Sequence, residues 1–67
     1  MRTISKDELT EILRKHEMWI YGEVGGIRAN LSNTDLSRAN LHLANLAMAD
    51  LSGAILSSAN LSGGHSL

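Results

Sequence analysis

Residues 29–63 read ANLSN TDLSR ANLHL ANLAM ADLSG AILSS ANLSG, seven pentads without a gap. The third position is always leucine: Leu31, Leu36, Leu41, Leu46, Leu51, Leu56 and Leu61. The first is small, Ala or Thr34, and the second is Asn or Asp except at Ile55. On an α-helix five residues advance about 140°, so these leucines would spiral over every face. On a flat strand an odd period puts successive leucines on opposite faces. One apolar stripe results only if the chain turns a corner every five residues. Each pentad is then one side of a four-sided coil of about twenty residues, with Leu and the small residue inward. The other three positions face water, which accounts for their Asn, Asp and Ser. Such a repeat decides the architecture before other features are weighed.

The A-(N/D)-L-x-x unit resembles the pentapeptide repeat family. That resemblance implies a mainly β fold, a short right-handed quadrilateral β-helix of about two coils over residues 23–67. Thr34 and Ile55 depart from the pattern. Extended toward the N-terminus, the register places Val24 and Gly26 inward in a degenerate unit. Leu31 is expected to stack on Leu51, Leu36 on Leu56 and Leu41 on Leu61.

Residues 1–22 have a different period. Ser5-Lys6-Asp7-Glu8 has the form of a capping box with acids in the first turn. Leu9, Ile12, Leu13, His16 and Ile20 follow at helical spacing, and Gly22 is a helix stop. A solenoid end leaves backbone groups and leucines open and needs a cover. The spacing therefore predicts a capping helix over about 6–21, packed on the first coil through Leu9, Ile12, Leu13 and His16. Trp19 is expected to reach the core. Glu8, Leu9, Ile12, Leu13, Lys15, His16 and Trp19 also resemble, as E-L-x-x-I-L-x-K-H-x-x-W, a helical leader of some bacterial and phage-type pentapeptide proteins.

Charge narrows the function classes. The 67 residues carry a net charge of −1 and no cysteine. There is no basic footprint for nucleic acid and no dense acidity. No secretory signal or membrane span is visible, so a cytoplasmic protein without membrane contact is expected. His16, His42 and His65 are too scattered for a metal site, and no cofactor is expected. A nucleophilic serine needs a base and an orienting acid; outward serines on a coil are ordinary turn residues. The expectation is a protein that is not an enzyme. Apolar residues at outward positions, Leu43, Met48 and Leu67, mark an interface or a C-terminal lid.

What the family resemblance implies is stoichiometric binding. Larger members resemble duplex DNA and bind type II topoisomerases. A chain of this size also fits small phage or mobile-element inhibitors of the anti-CRISPR kind, occupying a surface of a nucleic-acid-handling host protein. The alternatives are a structural or self-assembling module, or a short relative of the topoisomerase binders. A homodimer is expected, through the C-terminal end or through the outer face of the helix. Any DNA mimicry would rest on Glu11, Glu17, Glu23, Asp35 and Asp50.

Overall fold

The computed structural model describes residues 1–42 and 44–63. One helix, α1 (Lys6–Ile20), precedes the repeat segment. Its ends are set by local chemistry. Ser5 has extended backbone angles, and its hydroxyl accepts the Glu8 N–H at 3.1 Å. That bond satisfies one of the donors a helix N-terminus leaves open. At the other end Gly22 sits at φ 72°, its N–H bonds to Trp19 O, and the Glu23 N–H reaches back to Met18 O at 2.9 Å. This is a Schellman closure, and the left-handed position is where glycine costs least.

The repeat segment winds with a twenty-residue period. Parallel bridges join Asn30 to Asp50, Asp35 to Ile55 and Asn40 to Asn60. Each bridge precedes a leucine on both coils, so Leu31 and Leu51, Leu36 and Leu56, and Leu41 and Leu61 lie in register. The ladder is built from single residues: Leu31 N donates to Asp50 O and Asp50 N to Ala29 O, at 2.8 and 3.0 Å. Among the described residues the β structure consists of isolated bridges rather than extended strands. The reason is geometric. A corner follows every side and takes residues out of the ladder, leaving room for little more than one paired residue.

The corner repeats. The residue two after each leucine takes a left-handed φ at Asn33, Arg38, Met48, Gly53, Ser58 and Gly63, between 53° and 71°. The N–H of the next residue then bonds back to the leucine C=O at 3.0 Å, as in Ala39 to Leu36, Ala49 to Leu46 and Ala59 to Leu56. A reverse turn with φ > 0 at its third residue gives this geometry. The second-position Asn or Asp braces the turn. Asn30, Asp35, Asn40, Asn45, Asp50 and Asn60 each accept the backbone N–H two residues on, the Asx-turn arrangement. At Gly53 the φ of 71° is what favours glycine, and a Cβ there would require only the Asn33 amide end to shift.

Burial grades along the solenoid axis. In the first coil Leu31, Leu36, Leu41 and Leu46 are buried together with Leu9, and Ile4, Ile12 and Leu13 pack against them. Thr34 is also fully buried, its hydroxyl donating to Ser32 O at 3.0 Å, which is how a hydroxyl is tolerated at an inward position. In the second coil Leu51 and Leu56 are half-buried, and Leu61 is 43% exposed. Leu61 therefore departs from the expected closed core, although the Asn40–Asn60 bridge holds it in register with Leu41.

Two other expectations are corrected. Val24 is 97% exposed rather than inward. The chain from Glu23 to Ile27 does not continue the coil. It hugs the end of α1 instead, with Gly26 N bonded to Glu23 O and Ile27 N to Lys15 O. A Cβ on Gly26 would strike the Trp19 backbone, so glycine permits this close crossing. Trp19 is 37% exposed. It covers His16 by stacking, with ring centroids 5.6 Å apart, and does not enter the leucine core.

Leu41→Asp should abolish the cooperative thermal transition seen by circular dichroism, because Leu41 is 1% exposed and a carboxylate there has no partner. Leu61→Asp should leave a folded protein with a modestly lower Tm. Equal effects at the two positions would contradict the graded core.

Candidate functional site

The most constrained polar group is His16. Its side chain is fully buried between α1 and the coil. The Ala29 N–H donates to Nδ1 at 3.0 Å, and Nε2 lies 2.8 Å from Ala47 O. A backbone N–H can only donate and a carbonyl can only accept, so the partners select the neutral Nε2–H tautomer. One ring thus joins the helix to the start of the coil and to its fourth side. Both ring nitrogens are occupied by backbone groups, which leaves no lone pair for a metal or a substrate.

The second side is tied from the N-terminus as well. Arg2 forms a parallel bridge with Thr34: its N–H donates to Asn33 O and its C=O accepts from Asp35 N, at 3.1 and 2.7 Å. Its guanidinium donates to Asn30 O at 3.0 Å. Arg2 therefore adds one bridged residue to one side of the first coil, and Leu9, Ile12 and Leu13 of α1 pack on its leucines. No periodicity marks Arg2 for this role; only the unpaired backbone of the first coil could have pointed to it.

The second histidine, His42, is exposed, with Nδ1 2.9 Å from Ser62 Oγ. That pair has the elements of a nucleophile and base. However, the Ser62 hydroxyl donates to Asn60 Oδ1 at 2.7 Å, so the histidine must supply the proton in the His42–Ser62 bond. The imidazole does not draw a proton from the serine in this arrangement. Among the described residues no group of three or more His, Asp or Glu side chains could hold a metal ion.

The acidic side chains are dispersed. Glu17 and Glu23 line a groove of about 370 Å³ together with Arg14, Asn40 and His42. Asp35 lies in another, of about 490 Å³, beside Lys6 and Arg38. Glu11 is held by the Arg14 guanidinium at 2.6 and 3.0 Å, which lowers its carboxyl from the ordinary value. Asp50 stands near Arg28. Met48 is an exposed left-handed corner whose C=O accepts from Arg28 Nε at 2.5 Å. Leu43 and Leu67, together with His65, lie outside the described residues. The acids are thus interleaved with cations rather than drawn into one stripe.

The model for pentapeptide repeats matches residues 27–63 in eight copies. The chain belongs to the pentapeptide repeat family. Membership implies a fold of the β-helix type and suggests a non-catalytic repeat protein. Neither a curated protein nor a solved structure gives a significant match to the chain. Among the described residues no helix is long and apolar enough to cross a membrane.

His16→Ala should cost about 2–4 kcal/mol in urea denaturation, because it strands a buried N–H and a carbonyl and opens a cavity. A loss below about 0.5 kcal/mol would show that the ring does not hold the cap. A second prediction concerns acid. The Ser37 hydroxyl and N–H hold the Asp35 carboxyl below its ordinary value, and the Ser52 N–H and hydroxyl do the same for Asp50. A lowered carboxyl pKa contributes stability above the unfolded value, about 3.9, and loses it as pH falls through the folded value. Asp35→Asn with Asp50→Asn keeps the turn, as Asn30, Asn40 and Asn60 do, and removes this titration. A plot of Tm against pH should fall less steeply below pH of about 4 in the double variant. Coincident acid limbs would assign the acid sensitivity to other carboxyls.

Proposed function

We propose that this protein is a non-catalytic binding module that acts by stoichiometric occupancy. In this reading it is a small inhibitor of the phage or mobile-element kind, anti-CRISPR-like or DNA-mimic-like, seated on a nucleic-acid-handling host protein. Residues 1–22 serve as the cap and residues 23–67 as a right-handed quadrilateral β-helix of about two coils. The protein works in the cytoplasm as a homodimer, without binding nucleic acid or membrane directly.

The observation that carries the reading is the unequal treatment of the two coils. The first is sealed by α1, His16 and Arg2, whereas the second leaves Leu61 and Ile55 exposed, with Met48 at the preceding corner. Apolar groups left open on a small polar protein are the usual currency of association. The dispersed acids favour recognition by shape and apolar contact over recognition by charge. The same open coil supports a second reading, a self-assembling structural module without an inhibitory role.

Titration of the protein into DNA gyrase supercoiling and CRISPR nuclease cleavage assays tests the first reading. The expected result is inhibition of one activity that saturates near equimolar protein and enzyme. It should survive reversal of Asp35 and Asp50 to Lys at low and high salt alike. No inhibition in either assay at large excess would favour the structural module. Loss of inhibition on charge reversal would restore charge mimicry.

A further inference from the structure

We propose that the face of α1 bearing Glu8, Ile12 and Lys15, together with Ile27, is a two-fold surface for a second copy of this chain. The inference rests on the homodimer reading above and selects its contact. These helix residues fall at i, i+4 and i+7 and so share one face. Beside them lies a groove of about 430 Å³ floored by Ile12, Ile27 and Ala29. Ile27 is 57% exposed, held out of the coil by the bond from its N–H to Lys15 O. An isoleucine fixed in that position by backbone bonding, next to a half-buried Ile12, is an apolar centre without a cover.

The charges around this centre decide the occupant. Glu8 stands one turn before Ile12 and Lys15 about one turn after it. Among the described residues the one ion pair is Glu11 with Arg14, so Glu8 and Lys15 are engaged in none. A strongly acidic or strongly basic partner would meet a like charge at one end. A second α1 laid antiparallel across a two-fold axis beside Ile12 meets none: Glu8 faces the partner's Lys15, Lys15 faces the partner's Glu8, and the two Ile12 side chains meet at the axis. An isologous contact requires this self-complementarity. Arg28 reinforces the positive end, with its Nε already spent on Met48 O and the rest of its fork available. The contact leaves the open second coil for a target.

Analytical ultracentrifugation from about 10 µM to about 1 mM, a range suited to a small interface, tests the proposal with the full chain. Wild type should dimerise, and the dimer should weaken in high salt. Glu8→Lys and Lys15→Glu should each weaken it about tenfold or more, because each places like charges opposite one another twice per dimer. An equimolar mixture of the two variants should restore association, as should the double variant alone. Ile27→Ser should weaken it without altering helical circular dichroism. Leu61→Asp serves as the control at the coil and should have no effect. A dimer unchanged by the charge variants but lost in Leu61→Asp overturns this surface and leaves the homodimer standing. A monomer at every concentration overturns both.

Discussion

The fold depends on a turn that can be repeated every five residues. From Leu36 to Leu56 each leucine carbonyl is closed by the N–H three residues later, and the described residues two after the leucines take a left-handed φ. Glycine would be the cheapest occupant, yet Asn33, Arg38, Met48 and Ser58 stand there as well. Left-handed non-glycine residues cost about 1 kcal/mol or more each, so something must offset them. The Asx bond supplies part of that. Its acceptor sits one residue before the leucine and holds the N–H one residue after it, which fixes the chain on its way into the corner. Stacking supplies the rest, since Asn33 N and Arg38 N both donate to the coil below.

A repeat built this way has no intrinsic end. Each coil buries the leucines of its neighbour, so a stack of two coils has one interior layer and two surfaces. The chain spends its first third on one of them. Leu9 enters the leucine cluster and Ile4, Ile12 and Leu13 pack on it, while His16 and Arg2 supply the polar partners that the first coil lacks. A purely apolar lid would have left the Ala29 N–H and Ala47 C=O buried without partners, at about 1–3 kcal/mol each. A histidine in one tautomer solves both, because its two nitrogens offer a donor and an acceptor on opposite sides of a flat ring.

These features were not equally legible in the sequence. The leucine period announces the coil because it fits no helix or strand, and the Ser5 cap and Gly22 stop bound α1 through backbone chemistry any helix shares. Arg2 and Val24 could not be read, since their places follow from how the helix sits on the coil and not from local pattern. Val24 satisfies the pentad register on paper. The short link from α1 into Ile27 overrides it, drawing Gly26 against the Trp19 backbone. Trp19 likewise reads as core by hydropathy, but leucines from four sides fill the first coil, and the indole sits at its edge, on His16. The acids Glu17, Glu23, Asp35 and Asp50 were visible as residues; their separation into different grooves is a property of the four-sided coil, where residues fifteen apart lie on different sides.

That separation bears on what such a small solenoid can do. A duplex is read through a regular anionic stripe, and here Glu11, Glu17, Glu23, Asp35 and Asp50 stand near Arg14, Arg28, Arg38 or Lys6 or are engaged by a turn serine. Within about a Debye length, near 8 Å at physiological salt, such neighbours largely cancel. What remains is shape: a first coil with buried leucines and a second with Ile55 and Leu61 exposed. Rigidity lowers the ordering cost of binding, and exposed Met48, Ile55 and Leu61 supply apolar contact. The flank of α1 that carries Glu8 and Lys15 borders the core through Ile12, so a partner there would extend the apolar packing. In the proposed reading the two regions take different partners: the helix a second copy, the second coil a target.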